Sequence, residues 1–159
     1  ITTDQENHSI RNLMISLRDM QLKVTRRHEA AFLPKYAHPG DVGVDLYSLE
    51  DYVLQPGELK IFYLGFALEF DSGNAALMKD KSSMGGKGIH CLGGVFDSGY
   101  RGEYNVALMN HSAVPFPIQK KQKIAQLVIF PVIIAELEEV SELSESSRGT
   151  GAFGSTGKF

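Results

Sequence analysis

The stretch Gly93–Tyr104, which reads GGVFDSGYRGEY, decides the fold of this chain of 159 residues. Its Asp-Ser-Gly segment lies between runs rich in β-branched and aromatic residues. This pattern predicts a tight hairpin turn, because Gly99 can adopt a positive φ without a steric penalty. Such a turn would present Asp97 and Tyr100 close together on rigid structure, beside two glycines that let a ligand approach the backbone. A plain turn with a half-buried aromatic residue is the alternative that this stretch alone leaves open.

The remaining pattern is that of an all-β protein. After the turn, Tyr104, Val106 and Leu108 recur with a period of two, as on one face of a strand. Turn signals recur roughly every 8 to 15 residues and no helical periodicity persists, which predicts a sandwich, jelly roll or barrel. Four more segments carry strand patterns: Met20–Val24, Val42–Ser48, Lys60–Phe70 and Ile124–Ile134, the last interrupted by Pro131 at an expected edge or bulge.

Composition limits the organisation and the partners of the chain. A hydrophobic content of 43% and this length suit one domain core. Cys91 is the single cysteine, which rules out an internal disulfide and suits a reducing compartment. A formal net charge of −3 argues against broad nucleic-acid binding, and no apolar run approaches the roughly 18 residues of a membrane span. We therefore expect neither nucleic acid nor membrane as a partner, and a cytoplasmic location, or a nuclear or organellar one in a eukaryote.

Two segments outside the hairpin carry chemistry. Lys79–Gly88 combines lysines, serines and glycines that could cradle phosphate, although its spacing is not that of a P-loop. A flexible, solvated loop is the alternative there. In the strand Val42–Ser48, Asp45 is expected on the face opposite the apolar stripe.

The chain ends are expected to differ from its middle. We predict an N-terminal extension over 1–19, tag-derived or partly disordered, a β domain over 20–143 and a flexible tail over 144–159. The tail has too little apolar content to order itself. Its Arg148 and Phe153 would suit an anionic, planar ligand, and a disordered linker is the alternative.

Five short segments, in order, resemble the motifs of the trimeric dUTP pyrophosphatase (dUTPase) family. The third, Gly94–Glu103, is the most specific match. The resemblance covers most of the chain from about residue 20 onward, and its five segments are His38–Ser48, Lys81–Ser83 with Lys87–Ile89, Gly94–Glu103, Lys123–Val128 and Arg148–Gly157.

The resemblance implies a jelly-roll (β-clip) barrel that forms a homotrimer, with three active sites between subunits and a C-terminal arm that closes over them. It implies hydrolysis of dUTP to dUMP and pyrophosphate, which keeps uracil out of DNA and supplies dUMP for dTMP synthesis. It also implies Mg²⁺ as cofactor, held by substrate phosphates and water without a direct protein ligand.

The resemblance also assigns roles to residues. Asp97 would be the general base that activates water, and Asp45 would support the metal and water network. Tyr100 would pack beneath the deoxyribose and Phe153 would stack on uracil. The residues expected to contact substrate are Lys81, Ser82, Ser83, Gly94, Val95, Phe96, Tyr100, Asn105, Gln126, Arg148, Phe153, Gly154, Ser155 and Thr156.

Several residues depart from the family pattern. Asp80-Lys81-Ser82 stands where Pro-Arg-Ser is usual, so a guanidinium fork is lost. Cys91 stands where many members have an asparagine that helps read the base. Lys121-Gln122-Lys123 replaces Gly-Asp-Arg, and Ala152 replaces a common glycine.

Two alternatives to a dUTPase remain on the same fold. A dCTP deaminase would need a glutamate where this chain has Ala107. A noncatalytic nucleotide-sensing protein is the other alternative.

Overall fold

The structure is a computed structural model and describes residues 20–152. Within that range it contains eleven strands and one short helix, and every strand pair is antiparallel. The elements are β1 (Lys23–Arg26), β2 (Gly43–Tyr47), β3 (Tyr52–Leu54), β4 (Leu59–Tyr63), β5 (Phe66–Glu69), β6 (Asn74–Lys79), α1 (Ser82–Gly85), β7 (Ile89–Leu92), β8 (Val95–Asp97), β9 (Asn105–Asn110), β10 (Phe116–Ile118) and β11 (Lys123–Pro131).

Two larger sheets enclose the core. One has the strand order β2-β11-β6-β8 and the other has the order β4-β9-β7, while β1-β5 and β3-β10 form two short ladders. Large side chains from both sheets form one buried cluster, which includes Leu46, Phe62, Tyr104, Leu108 and Leu127. The alternation predicted from Tyr104 onward is confirmed, because Val106 and Leu108 are buried while their neighbours on β9 are only half-buried. This is the all-β jelly roll expected from the sequence.

The predicted hairpin is only partly right. A tight turn does follow β8, where the Tyr100 N–H donates to the Asp97 carbonyl at 3.0 Å. Gly99, however, is not among the glycines with positive φ. The strands on either side of the turn do not pair with each other, because β8 pairs with β6 and β9 pairs with β4 and β7. The chain therefore leaves one sheet and enters the other at this turn.

All four predicted strand segments have different bounds in the structure, and the first and the third differ most. The first was expected over Met20–Val24, but β1 is Lys23–Arg26 and all four of its residues are exposed. The run Lys60–Phe70 is divided into β4 and β5 at Gly65, whose φ is +73°. A Cβ there would lie 2.8 Å from that of Ala31, so only glycine fits this bend.

Two further expectations concern the C-terminal strand and the Lys79–Gly88 segment. β11 is a central strand, but its ladder with β2 stops at Val128, so Pro131, in register with Asn74, lies where β11 is paired on one side only, as expected of an edge position. Lys79–Gly88 is not a plain loop, because α1 interrupts it and anchors Met84, 2% exposed, in the core. Within residues 20–152, no helix is long and apolar enough to cross a membrane.

Candidate active site

A cleft of about 210 Å³ opens where β8 and β9 diverge into separate sheets. It contains four of the predicted substrate contacts, namely Gly94, Val95, Phe96 and Asn105. Met78, Leu92, Val106 and Ala107 complete its wall, so every side chain that lines the cleft except that of Asn105 is apolar, although polar atoms supply most of its exposed surface. A narrow slot with apolar side chains and accessible polar groups is suited to a flat heterocycle that also forms hydrogen bonds.

Gly94 shapes this cleft through its backbone. Its φ is +93°, and its carbonyl accepts a hydrogen bond from the Met78 N–H at 2.7 Å. A Cβ at this position would lie 2.5 Å from the Cβ of Met78. Both constraints exclude larger residues, so the glycine is required by close packing against β6.

Asp97 and Tyr100 lie at the end of β8. Asp97 is exposed and pairs in register with Ala75. The Tyr100 ring is 37% exposed and lies 5.7 Å from the Phe96 ring, measured between centroids. Its hydroxyl donates to the Glu103 carbonyl at 3.0 Å and lies over Gly102, where a Cβ would overlap it. Tyr100 is thus fixed at both ends.

A stack of aromatic rings supports this end of the cleft. The rings of Phe96 and Tyr104 are stacked with 4.3 Å between their centroids. The ring of Phe66 also stacks on that of Tyr104, at 5.7 Å. Tyr104 is fully buried, and burial raises the pKa of its hydroxyl to about 12. Packed rings of this kind hold the strand that carries Asp97 in one position.

A second cavity, of about 460 Å³, lies beside β2 and β11 of the four-stranded sheet. It contains three predicted site residues, Asp45, Lys81 and Gln126, together with Lys123. The other residues that line it are Ala37, His38, Asp41, Val42 and Gly43. Val42, which strand alternation would place on the same apolar face as Val44 and Leu46, is instead 75% exposed and lines this cavity.

Asp45 forms the centre of a three-charge cluster. Its carboxylate is 4% exposed and contacts Lys81 Nζ through Oδ1, while Lys123 Nζ lies 2.6 Å from Oδ2. Burial by itself raises the pKa of Asp45, but hydrogen bonds from Lys123 and Lys81 outweigh it and hold that pKa below its ordinary value. Asp45 does lie off the face of Val44 and Leu46, but it is as buried as they are.

Lys123 was not predicted as a site residue, although it begins the fourth motif. A bulge in β11 between Lys123 and Ala125 turns its side chain toward Asp45. Bulges leave no reliable trace in one sequence, so the lysine in the motif was the only available signal.

Gln126 lines the same cavity. Its Nε2 donates to the Asp80 carbonyl at 2.8 Å, and its Oε1 lies against Gly43, where a Cβ would overlap it. The first motif thus needs glycine at residue 43 so that the amide of the fourth motif can lie flat against β2.

The other predicted substrate contacts that the structure describes line neither of the two cavities. Ser82 and Ser83 are exposed at the start of α1, next to Lys81. Arg148 is exposed, and its Nε donates to the Gly151 carbonyl at 3.0 Å, so it reaches neither cavity in this chain. Phe153, Gly154, Ser155 and Thr156 lie outside the described residues.

Cys91 does not line the cleft between β8 and β9. It is 7% exposed in the core, and burial together with the neighbouring Asp80 carboxylate raises the pKa of its thiol to about 12. Its neighbour Leu92 lines the cleft instead. A thiol in this environment is inert and serves packing.

The family assignment follows from the matched length. The dUTPase family model matches residues 29–157, which include both cavities. The chain belongs to the dUTPase family. Its curated relatives include the deoxyuridine 5'-triphosphate nucleotidohydrolases of Nautilia profundicola, 44% identical, and of Gloeothece citriformis, 45% identical. These alignments cover 87% of this chain and 100% and 97% of the respective relatives. The predicted enzyme class, a dUTP diphosphatase, is thereby confirmed.

Solved dUTPase structures have the same fold. A variant of the dUTPase of Staphylococcus bacteriophage 80alpha with dUpNHpp superimposes with a TM-score of 0.80 at 28% identity, covering 86% of this chain and 98% of that one. A variant dUTPase from phage phi11 of S. aureus, described with a structural Mg(II) ion, gives a TM-score of 0.73 at 25% identity. Its match covers 79% of this chain and 99% of the phage protein.

Proposed function

We propose that this dUTPase hydrolyses dUTP to dUMP and pyrophosphate, with the uracil in the cleft between β8 and β9 and the phosphates in the cavity that contains Asp45, Lys81 and Lys123. The observation that carries the proposal is the chemistry of the two cavities. One is a narrow cleft lined by apolar side chains and Asn105, and the other presents Lys81, Lys123 and the Gln126 amide beside the carboxylates of Asp41 and Asp45. Cationic and amide donors are the groups that bind phosphate oxygens.

The cleft favours hydrolysis over deamination. Ala107, the position at which a deaminase would carry its glutamate, lies in the wall of the cleft. Among the residues that the structure describes, no carboxylate lines this slot. Deamination needs an acid and base next to the base ring, which these residues do not supply.

Asp97 is the proposed general base. It is an exposed carboxylate at the end of the strand that forms the cleft, held by the stack of Phe96 and Tyr104. An aspartate there would orient a water molecule and take its proton as the oxygen attacks the α-phosphorus and pyrophosphate leaves. A positioned base and fixed cations lower the barrier without reorganisation during the reaction.

Tyr100 is the proposed discriminator of the sugar. Its ring is fixed by Phe96 on one side and by the hydroxyl contact to Glu103 on the other. A ring held by these two contacts beneath the sugar would leave no space for a 2′-hydroxyl and would so select deoxyribose over ribose.

The proposed assembly is a homotrimer with shared active sites. The segment after β11 exposes large apolar side chains, with Ile133 at 96%, Leu137 at 95% and Leu143 at 84%. The outer face of β4 does the same through Leu59, Ile61 and Tyr63, which are at least half exposed. Apolar surface of this extent calls for burial against other copies of the chain. In such a trimer, Arg148 and Phe153 would act on a neighbouring subunit.

Magnesium fits this site as a companion of the triphosphate. The Asp45 oxygens are engaged by two lysines, and within 20–152 no cluster of three His, Cys, Asp or Glu side chains is placed to hold a metal ion. Phosphate oxygens and water are the donors that Mg²⁺ prefers. The ion would supply compact positive charge near the phosphates.

A pyrophosphate-release assay with dUTP, dCTP and UTP tests the function. We expect release from dUTP and little from the other two, and no release from dUTP would refute the proposal. Binding of dUTP without turnover would favour a nucleotide sensor. An enzyme that acts on the free nucleotide pool belongs where nucleotides are made, so we place it in the cytoplasm, or in a nucleus or organelle if its source is a eukaryote.

A further inference from the structure

A hydrogen-bonded pair outside both cavities, Asp80 and His90, lies at the start of the proposed phosphate-binding segment. Asp80 directly precedes Lys81, and its side chain points to β7 rather than into the cavity that contains Asp45. Its Oδ2 lies 2.5 Å from His90 Nδ1, and its Oδ1 accepts the Cys91 N–H at 2.6 Å. Neither Asp80 nor His90 lines the cavity that contains Asp45.

The backbone of Asp80 is attached to the site on its other side. The ladder between β6 and β11 ends at Lys79, in register with Gln126, and Asp80 is the next residue. Beyond the ladder, the Asp80 carbonyl accepts the hydrogen bond from Gln126 Nε2 at 2.8 Å. Asp80 thus joins β7 and β11 where the chain turns toward Lys81, so its position affects those of Lys81 and Gln126.

Helix α1 has few restraints of its own. It spans four residues, and no side chain caps its start at Lys81. Met84 anchors it in the core, and Gly85 packs over the Asp80 side chain, where a Cβ would lie 3.7 Å from Oδ2. A short, uncapped helix derives its orientation from such tertiary contacts.

The charge state of the pair strengthens it. Burial by itself raises the pKa of Asp80, but hydrogen bonds from the Cys91 amide and from His90 hold that pKa below its ordinary value. The carboxylate therefore stays ionised, and hydrogen bonds to an ionised acceptor are about twice as strong as neutral ones.

We propose that His90 is a positioning residue, which through Asp80 orients Lys81, Ser82 and Gln126 toward the phosphates of the substrate. This inference rests on the proposed function. His90 would contact no substrate itself. Removing its side chain should weaken the binding of the substrate phosphates and leave the cleft between β8 and β9 unchanged.

The experiment compares two ligands across variants of His90. The Kd values of dUpNHpp and of deoxyuridine are measured for the unmodified protein and for His90→Ala, His90→Asn and His90→Gln. An Asn amide nitrogen takes the place of Nδ1, whereas a Gln amide nitrogen reaches the place of Nε2, away from Asp80. His111→Ala is the matched control, since that exposed ring lies 6.2 Å from His90 on the same surface.

We expect His90→Ala and His90→Gln to weaken dUpNHpp binding about tenfold, with deoxyuridine binding unchanged. His90→Asn and His111→Ala should bind both ligands as the unmodified protein does. Equal weakening of both ligands, no effect of His90→Ala, or equal behaviour of Asn and Gln would overturn the positioning role. Failure of the unmodified protein to bind either ligand would instead refute the proposed function. Thermal unfolding of each variant identifies any that do not fold, and the Asn and Gln pair then decides the matter.

Discussion

Replacing Asp45 by asparagine tests the charge cluster that Asp45 forms with Lys81 and Lys123. The substitution keeps the shape of the side chain and removes its charge. The two lysines that share this carboxylate would then lose the counter-ion between them, and only the more distant Asp41 would remain in the same cavity. We expect a loss of stability and a weaker hold on the phosphates, because Lys81 would no longer be kept in place.

The size of the effect follows from burial. The Asp45 carboxylate is 4% exposed, whereas the Lys81 side chain is 23% exposed and that of Lys123 is 42% exposed. Breaking a fully buried ion pair costs about 3–5 kcal/mol. Since both lysine ends can still reach water, we expect the free energy of unfolding to fall by about 1–3 kcal/mol at pH 7.

Urea unfolding at a fixed protein concentration measures this change, with Glu69→Gln as control. Glu69 lies 2.6 Å from Lys23, but both side chains are largely in solvent, so its loss should leave the urea midpoint almost unchanged. Equal midpoints for Asp45→Asn and the unmodified protein would refute the assigned strength of the cluster.

The pH dependence gives an independent check with a defined sign. The pKa of Asp45 is lower in the folded chain than its ordinary value, so its contribution to stability is present above the unfolded pKa of about 3.9. It is lost as the pH falls through the folded pKa. The difference in stability between Asp45→Asn and the unmodified protein should therefore be constant near neutrality and shrink below about pH 4. A difference that grows in acid would contradict this reasoning.

Three predictions concern catalysis. Asp97→Asn should leave dUpNHpp binding largely intact while turnover of dUTP falls by roughly 10² or more, and near-normal turnover would exclude Asp97 as the base. Tyr100→Ala should reduce the preference for dUTP over UTP in the pyrophosphate assay, an effect that a purely structural tyrosine would not produce. Deleting Arg148–Phe159 should preserve the thermal stability and the oligomeric state but abolish most activity. When such subunits are mixed with Asp97→Asn subunits, activity should reappear in mixed trimers if the tail acts in trans, whereas confirmed exchange without recovery would show that it does not.

Local sequence pattern was enough for much of the fold. The alternation from Tyr104 to Leu108 predicted the buried face of β9, and the Asp-Ser-Gly segment predicted the turn after β8. Both features depend on residues close together in the chain. The five spaced motifs predicted the family, which the match over residues 29–157 confirmed. The roles of individual site residues, and the division into a domain over 20–143 and a tail, stay predictions.

Errors arose where distant contacts decide. The hairpin was expected to pair with itself, but β8 and β9 each find a better partner elsewhere, so the strands part and leave a cleft between them. Gly99 was expected to carry the positive φ, whereas Gly94 needs it because Met78 packs against it. A single sequence records no such packing.

The sequence by itself determined the all-β class, the turn that presents Asp97 and the ordered motifs that place the chain among dUTPases. Only the tertiary structure decided that Asp45 lies buried between two lysines and that Asp80 is held by His90. Lys81 is 36 residues from Asp45 along the chain and is brought to it by the pairing of β2, β11 and β6 and by the hydrogen bonds of the adjacent Asp80. The physical reason is that alternation and turn chemistry act over a few residues. Charge neutralisation and cleft formation instead depend on strand register, which the whole core sets at once.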